Sequence, residues 1–249
     1  MSKRIVGFST GSLFKLGITP PVAASMIVDL GCNALEISFL KINSHEEINP
    51  EDFDLSSMNS LNHFCLHAPI NWSNNKKDYL DAMTRFYPGV TAVIHPDTIE
   101  DFTIFDYRTI DPLFENMNNG KNTIFKSVGG MAQLLSFCPR FNVCLDVNHA
   151  YSNDPSGHLG DQFVSCFGSR IKQVHLSGYS PDWGHVPLFL TKQYELIKQA
   201  ALANAPIIIE SVLGNVDQLE QEYKYIIETL DVLDELEGLR EKHSGARLV

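Results

Sequence analysis

Apolar residues gather in eight short runs along the chain: RIVGFS from Arg4, ALEISF from Ala34, FCLHAP from Phe64, TAVIHP from Thr91, PLFENM from Pro112, NVCLDV from Asn142, IKQVHL from Ile171 and PIIIES from Pro206. Each is rich in β-branched or aromatic residues and bounded by turn formers, the pattern of a buried strand. Between most of them apolar residues recur at helical spacing, as at Val22, Met26, Ile27 and Leu30, or Tyr194, Leu196, Ile197 and Ala200. Repeated strand and helix over 249 residues predicts a parallel sheet closed on itself, a (β/α)8 TIM barrel in a single domain, 1–249. The interval between the fourth and fifth strands leaves room for a turn or two of helix, and Leu13 to Pro21 reads as a loop before the first helix. After the eighth strand Val216, Leu219, Tyr223, Ile226, Ile227 and Leu230 predict a closing helix to about Leu236. The polar end, 240–249, is expected to fray.

The polar residues that interrupt this pattern sit at strand ends: Glu36, His67, His95, Glu115, Asp146, His175 and Glu210. A single His or Glu there is usually a capped or solvated group. Seven of eight strands ending in a nitrogen or oxygen ligand form a different observation, because so many ionisable groups turned into one crevice repel one another unless cations compensate them. The C-terminal end of a barrel is also where its chemistry gathers. His149, three residues beyond Asp146, reaches the same crevice, and YSPDWGHVPL adds Asp182 and His185 as a pair for an outer ion. The expected metal ligands are therefore His67, His95, Glu115, Asp146, His149, His175, His185 and Glu210. Glu36 either hydrogen-bonds a ligand imidazole or faces solvent at the barrel mouth. His45, His63, His158 and His243 lie out of register and receive no role.

A mixed imidazole and carboxylate set without thiolate suits zinc, manganese or iron(II) better than calcium or magnesium. The five cysteines are odd in number and widely spaced, and four have apolar neighbours, so they read as reduced packing thiols, Cys65 and Cys144 among them. The formal net charge of −11 repels polyanions, and no basic run interleaved with aromatics offsets it, so duplex DNA is a poor expected partner and a small molecule a better one. The apolar runs are too short to span a bilayer and no secretory segment is recognisable, so a cytoplasmic location is expected. GFSTG matches the G-x-S-x-G elbow of serine hydrolases, but that elbow needs a helix directly after Ser9, and the available acids and histidines are better explained by metal. No glycine-rich nucleotide loop is present. Lys15, Lys41 and Lys121 fall in loops on the expected active face, and Lys15 and Lys121 are the candidates for an anionic substrate group.

With ENM, DVNHA and VHLSG in view, the chain resembles the xylose isomerase-like TIM-barrel superfamily, which includes endonuclease IV and sugar phosphate isomerase and epimerase relatives. The resemblance to endonuclease IV, of AP endonuclease family 2, implies a three-zinc centre on His67, His95, Glu115, Asp146 with His149, His175 and Glu210. The Asp-x-His pair of that family is here DWGH, one residue longer. The resemblance to the isomerases implies one metal on Glu115, Asp146, His175 and Glu210, although the arginine those enzymes carry beyond the strand-end His is missing from HLSGYSPDWGH. Multinuclear iron oxygenases form a third branch with similar motifs. Two imidazoles beside the Glu115 strand favour a centre of two or three divalent transition metals, zinc first, with manganese or iron as alternatives. The first expectation is hydrolysis of a small phosphoester by metal-activated water, with Glu115 bridging; the alternative is an isomerase, epimerase or dehydratase with Glu115 and Glu210 as the acid/base pair.

Overall fold

The computed structural model describes residues 4–72, 75–87, 89–106, 110–137 and 139–245, with side chains to 236. Eight parallel strands close into a barrel: β1 (Val6–Ser9), β2 (Ala34–Ser38), β3 (His63–His67), β4 (Val90–Ile94), β5 (Ile110–Glu115), β6 (Asn142–Asp146), β7 (Ile171–Leu176) and β10 (Ile207–Ile209), with β10 pairing back onto β1. All eight predicted strands are present. At β1 the backbones approach so closely that a Cβ on Gly7 would lie 1.7 Å from the Ala34 carbonyl oxygen, which only glycine tolerates. A hairpin, β8 (Gly178–Ser180) with β9 (Gly184–Val186), stands outside the barrel at its C-terminal rim.

The outer layer holds α1 (Pro20–Asp29), α2 (Lys76–Met83), α3 (Val128–Phe137), α5 (His158–Phe167), α7 (Tyr194–Leu202) and α8 (Asp217–Gly245). Two short helices lie near the rim, α4 (Val147–Asn153) and α6 (Leu188–Thr191). The β2–β3 and β4–β5 connections carry only 3-10 turns among the described residues. A 3-10 helix over Thr10–Leu16 takes in the first part of the segment expected to be a loop, and α1 already begins at Pro20; Ser9 caps the 3-10 helix by accepting from Gly11 N at 3.3 Å. Helix α8 continues beyond Leu236 to Gly245, so helical backbone covers the first residues of the expected frayed end. His243 and Cys138 lie outside the described side chains. Among the described residues no single helix is long and apolar enough to cross a membrane.

Strand side chains alternate between two environments, as the two-residue period demands. The outward set, including Phe8, Leu35, Leu66, Phe114, Leu145 and Val174, belongs to the large core under the helices. The inward set forms two small clusters, Ala34 with Cys65 and Ile208, and Val93 with Leu113 and Cys144. Two residues further along those strands come Glu36, His67, Glu210, His95, Glu115 and Asp146. Register sets Glu36 level with Cys65, and the other five stand above this plug of small apolar side chains.

Candidate metal centre

Register decides which strand-end residues meet. Ser38 pairs with His67, and Glu36 pairs with Cys65, so Glu36 lies one layer below the imidazole of His67. β2 runs two residues past Glu36, which is fully buried and does not face solvent at the mouth. Its Oε2 meets His175 Nε2 at 2.9 Å and accepts from Gln173 Nε2 at 2.8 Å. That contact holds the Nε2 proton of His175 and turns Nδ1 into the cluster.

Glu115, 1% exposed, occupies the centre. Its Oε2 faces His67 Nε2 at 3.3 Å and His95 Nε2 at 2.9 Å, and its Oε1 faces His175 Nδ1 and His149 Nδ1, each at 3.3 Å. His67 Nδ1 donates to the Ala68 carbonyl at 2.9 Å, so its Nε2 points a lone pair at a carboxylate unless a second proton or a cation stands between them. His175 is in the same position, with Nδ1 also 3.2 Å from Glu210 Oε2. Acceptor set against acceptor in a dry crevice is a donor set built for a positive charge.

Asp146 ends β6 and caps α4, accepting from His149 N at 2.8 Å through one oxygen; its other oxygen, Oδ2, is buried without a hydrogen bond. His149 Nδ1 donates to the Asn116 carbonyl at 2.9 Å, while Asn116 clasps the Asp146 backbone through both ends of its amide, at 2.8 and 2.9 Å. His185, carried by β9 and held by Ser177 Oγ at 2.9 Å, brings its Nε2 to 3.3 Å from His149 Nε2. Two nitrogens on one tetrahedral zinc at about 2.0–2.1 Å would themselves be separated by about 3.3 Å.

Ligand atoms within 4.8 Å of one another form four groups: His67, His95 and Glu115; His67, His175 and Glu210; Asp146, His149 and His185; and Glu115, Asp146, His175 and Glu210. All eight sequence-proposed ligands are brought together. Asp182 is not: it sits exposed in the turn between β8 and β9, whereas His185 lies on β9 itself.

Without a metal the cluster neutralises itself with protons. Burial alone would lower His67, but its hydrogen bond to Glu115 and the charges of Glu36, Glu115 and Glu210 raise it to about 9. His175 is raised well above its ordinary value against burial by Cys144, Glu210, Glu36 and Glu115. Burial and the Glu115 and Glu210 charges drive Asp146 well up. Glu210 falls to about 2 against burial, through His175, and burial with His149 lowers His185 to about 4. Divalent cations would take the place of these protons, so the donor set fits a metal centre. Burial pushes the Cys65 and Cys144 thiols well up, leaving them as protonated packing groups. Cys166, by contrast, is an exposed free thiol and not a buried one.

Lys121 pairs with Asp97 at 3.1 Å beside the His95 turn. Lys15 lies 5.2 Å from the ring centre of Trp183 at the hairpin tip, and Lys41 lies over the Phe14 ring. No histidine hydrogen-bonds to Ser9 among the described residues; its hydroxyl is the 3-10 cap. Three supports of the site were not apparent from the sequence. Gln173 links His63 Nε2, at 2.7 Å, to Glu36, and packs beside His175. Asn116 was visible only as the second letter of ENM. Glu222, buried on α8, accepts from Leu188 N, Phe189 N and Ser211 Oγ, and so ties the exit of the His185 hairpin to the residue after Glu210.

No protein-family model matches the sequence, and no curated protein matches it. Solved structures do. A D-tagatose 3-epimerase-like protein superposes with a TM-score of 0.64 at 14% identity, over 92% of this chain and 98% of that one. The shared fold is a closed (β/α)8 barrel. An AP endonuclease, family 2, from Brucella melitensis follows at 0.60 and 14%, over 89% and 97% of the two chains. A xylose isomerase domain containing protein from Salmonella typhimurium gives 0.59 and 16%, over 95% and 98%. At such identities the likeness is one of fold, and the activity has to be argued from this chain's own site.

Proposed function

We propose that the chain is a metal-dependent hydrolase of small phosphoesters with two or three divalent ions, zinc first, at the C-terminal face of the barrel. One observation carries the reading: one oxygen of Glu115 faces the imidazole nitrogens of His67 and His95, and its other oxygen faces Nδ1 of His175. A carboxylate so placed serves as a ligand shared between neighbouring ions. Cations held on these residues would lower the pKa of a bound water and offset charge on the attacking and leaving oxygens of a phosphoester. The chain's own residues supply the rest. Glu36 fixes the His175 tautomer, and Asn116 with Asp146 fixes the angle of His149. The buried layer of Ala34, Cys65 and Ile208 closes the crevice from below. A cavity of about 360 Å³ opens beside Glu210 and His185, room for a small molecule. The net charge of −11 disfavours duplex DNA.

A second reading rests on the group Glu115, Asp146, His175 and Glu210, which suffices for one ion and would leave Glu115 and Glu210 to move protons in a sugar or keto-acid isomerase, epimerase or dehydratase. Phosphate release from a panel of small phosphomonoesters and diesters by the zinc-loaded chain, with His95→Ala as control, separates the two. The hydrolase reading expects metal-dependent turnover lost in the variant. It falls if the fully loaded chain releases no phosphate while exchanging a carbon-bound proton of a ketose with deuterated solvent.

A further inference from the structure

The cavity beside the cluster has a composition that the metal chemistry alone does not require. His185 and Glu210 form one end of it, and the remainder is built from the segments after β1, β2 and β10. Its walls are Phe14, Ile18, Leu40, Ile42 and Val212, side chains that a polyol substrate could not hydrogen-bond. Three hydroxyls share the lining: Thr10 accepts from Ser38 N at 2.9 Å and Ser9 accepts from Gly11 N at 3.3 Å, and with the Ser38 hydroxyl they form the smaller, polar part of a wall that is otherwise apolar. The one lining ammonium, Lys41, is laid over the Phe14 ring at the edge. Val212 N donates to the His185 carbonyl at 3.3 Å, so the apolar wall and the metal-facing hairpin are one continuous surface.

We propose that the substrate is amphipathic: a polar, metal-seeking head at Glu210 and His185, and an aromatic or branched aliphatic body in this cavity. The inference rests on the reading of the cluster as a metal centre and adds the substrate class. Apolar walls bind apolar surface, and they exclude water from the head at the same time.

The test is a calorimetric titration of the full chain loaded with zinc, using two heads on two bodies: benzylphosphonate against methylphosphonate, and benzohydroxamate against acetohydroxamate. The inference expects the aromatic member of a pair to bind at least about tenfold more tightly. It expects that advantage to shrink to within about threefold in Leu40→Asn, with metal content unchanged. Val212→Asn serves if Leu40→Asn does not fold. Equal affinity within both pairs overturns the inference and leaves the phosphoester reading standing. If neither phosphonate binds but the hydroxamates still differ tenfold, the amphipathic class stands and the phosphoester reading falls. If none of the four binds, both fall.

Discussion

Replacing Glu115 by glutamine changes two atoms' chemistry and almost no volume, so it isolates the shared-ligand role. The imidazole nitrogens of His67 and His95 lie 3.3 and 2.9 Å from one carboxylate oxygen, and Nδ1 of His175 lies 3.3 Å from the other. The amide keeps one acceptor oxygen, loses the charge, and presents on its other side an N–H donor, which cannot act as a ligand. Removing a group that merely orients a ligand costs about 10- to 100-fold in metal affinity, so losing a ligand common to two ions should cost at least about 100-fold, or about 2.7 kcal/mol, at each. Competition against a zinc-indicating chelator, with elemental analysis after dialysis, reads this loss, and near-UV circular dichroism confirms that the barrel is intact. Both ions should weaken together in a folded protein. Unchanged affinity, or weakening of one ion only, would refute the bridging role.

Further expectations concern the surroundings. Glu36→Gln should weaken one ion by about 10- to 100-fold through the freed His175 ring and spare the ion on His67 and His95, as paired chelator titrations would show; equal weakening of both would contradict the remote contact. His67 at about 9 and the raised His175 hold protons that a cation must displace, so zinc added to metal-free chain near pH 7.5 in weak buffer should release two or more protons, and affinity should rise with pH up to about 9. The sign follows from a pKa raised on folding. In the metal-free chain the His67 contribution to stability is complete below 6.5 and is lost as pH rises through about 9, and a bound cation abolishes that dependence. Proton uptake or no release would be fatal to this assignment. Glu222→Ala strips acceptors from three buried donors and should destabilise the fold by on the order of 3 kcal/mol in a denaturant titration, whereas an effect below about 0.5 kcal/mol would show that the contacts are dispensable.

The barrel was legible because its signals are local: eight runs, a two-residue period inside each, and helical spacing between them. The convergence of strand-end imidazoles and carboxylates was legible for the same reason, since a polar residue on the inward parity at a strand end has nowhere else to point. Depth was not legible. Whether Glu36 lies at the mouth or below it depends on the stagger between β2 and β3, which becomes visible only when Glu36 pairs with Cys65. The partners of Glu36 and Glu222 were out of reach too, because the contacts join residues 137 and 34 positions apart and leave no spacing pattern in the chain. Asp182 failed for a conformational reason: a tight hairpin separates residues that a loop would have kept together.

Metal stoichiometry tests the central claim most directly. Chain purified without chelators, then reconstituted with zinc, manganese or iron(II) and dialysed, should retain two or three ions per molecule by elemental analysis, with anomalous scattering in crystals placing one between His67, His95 and Glu115 and another on the Asp146 side. A single ion confined to Glu115, Asp146, His175 and Glu210, or no retained ion under any condition, would contradict the account.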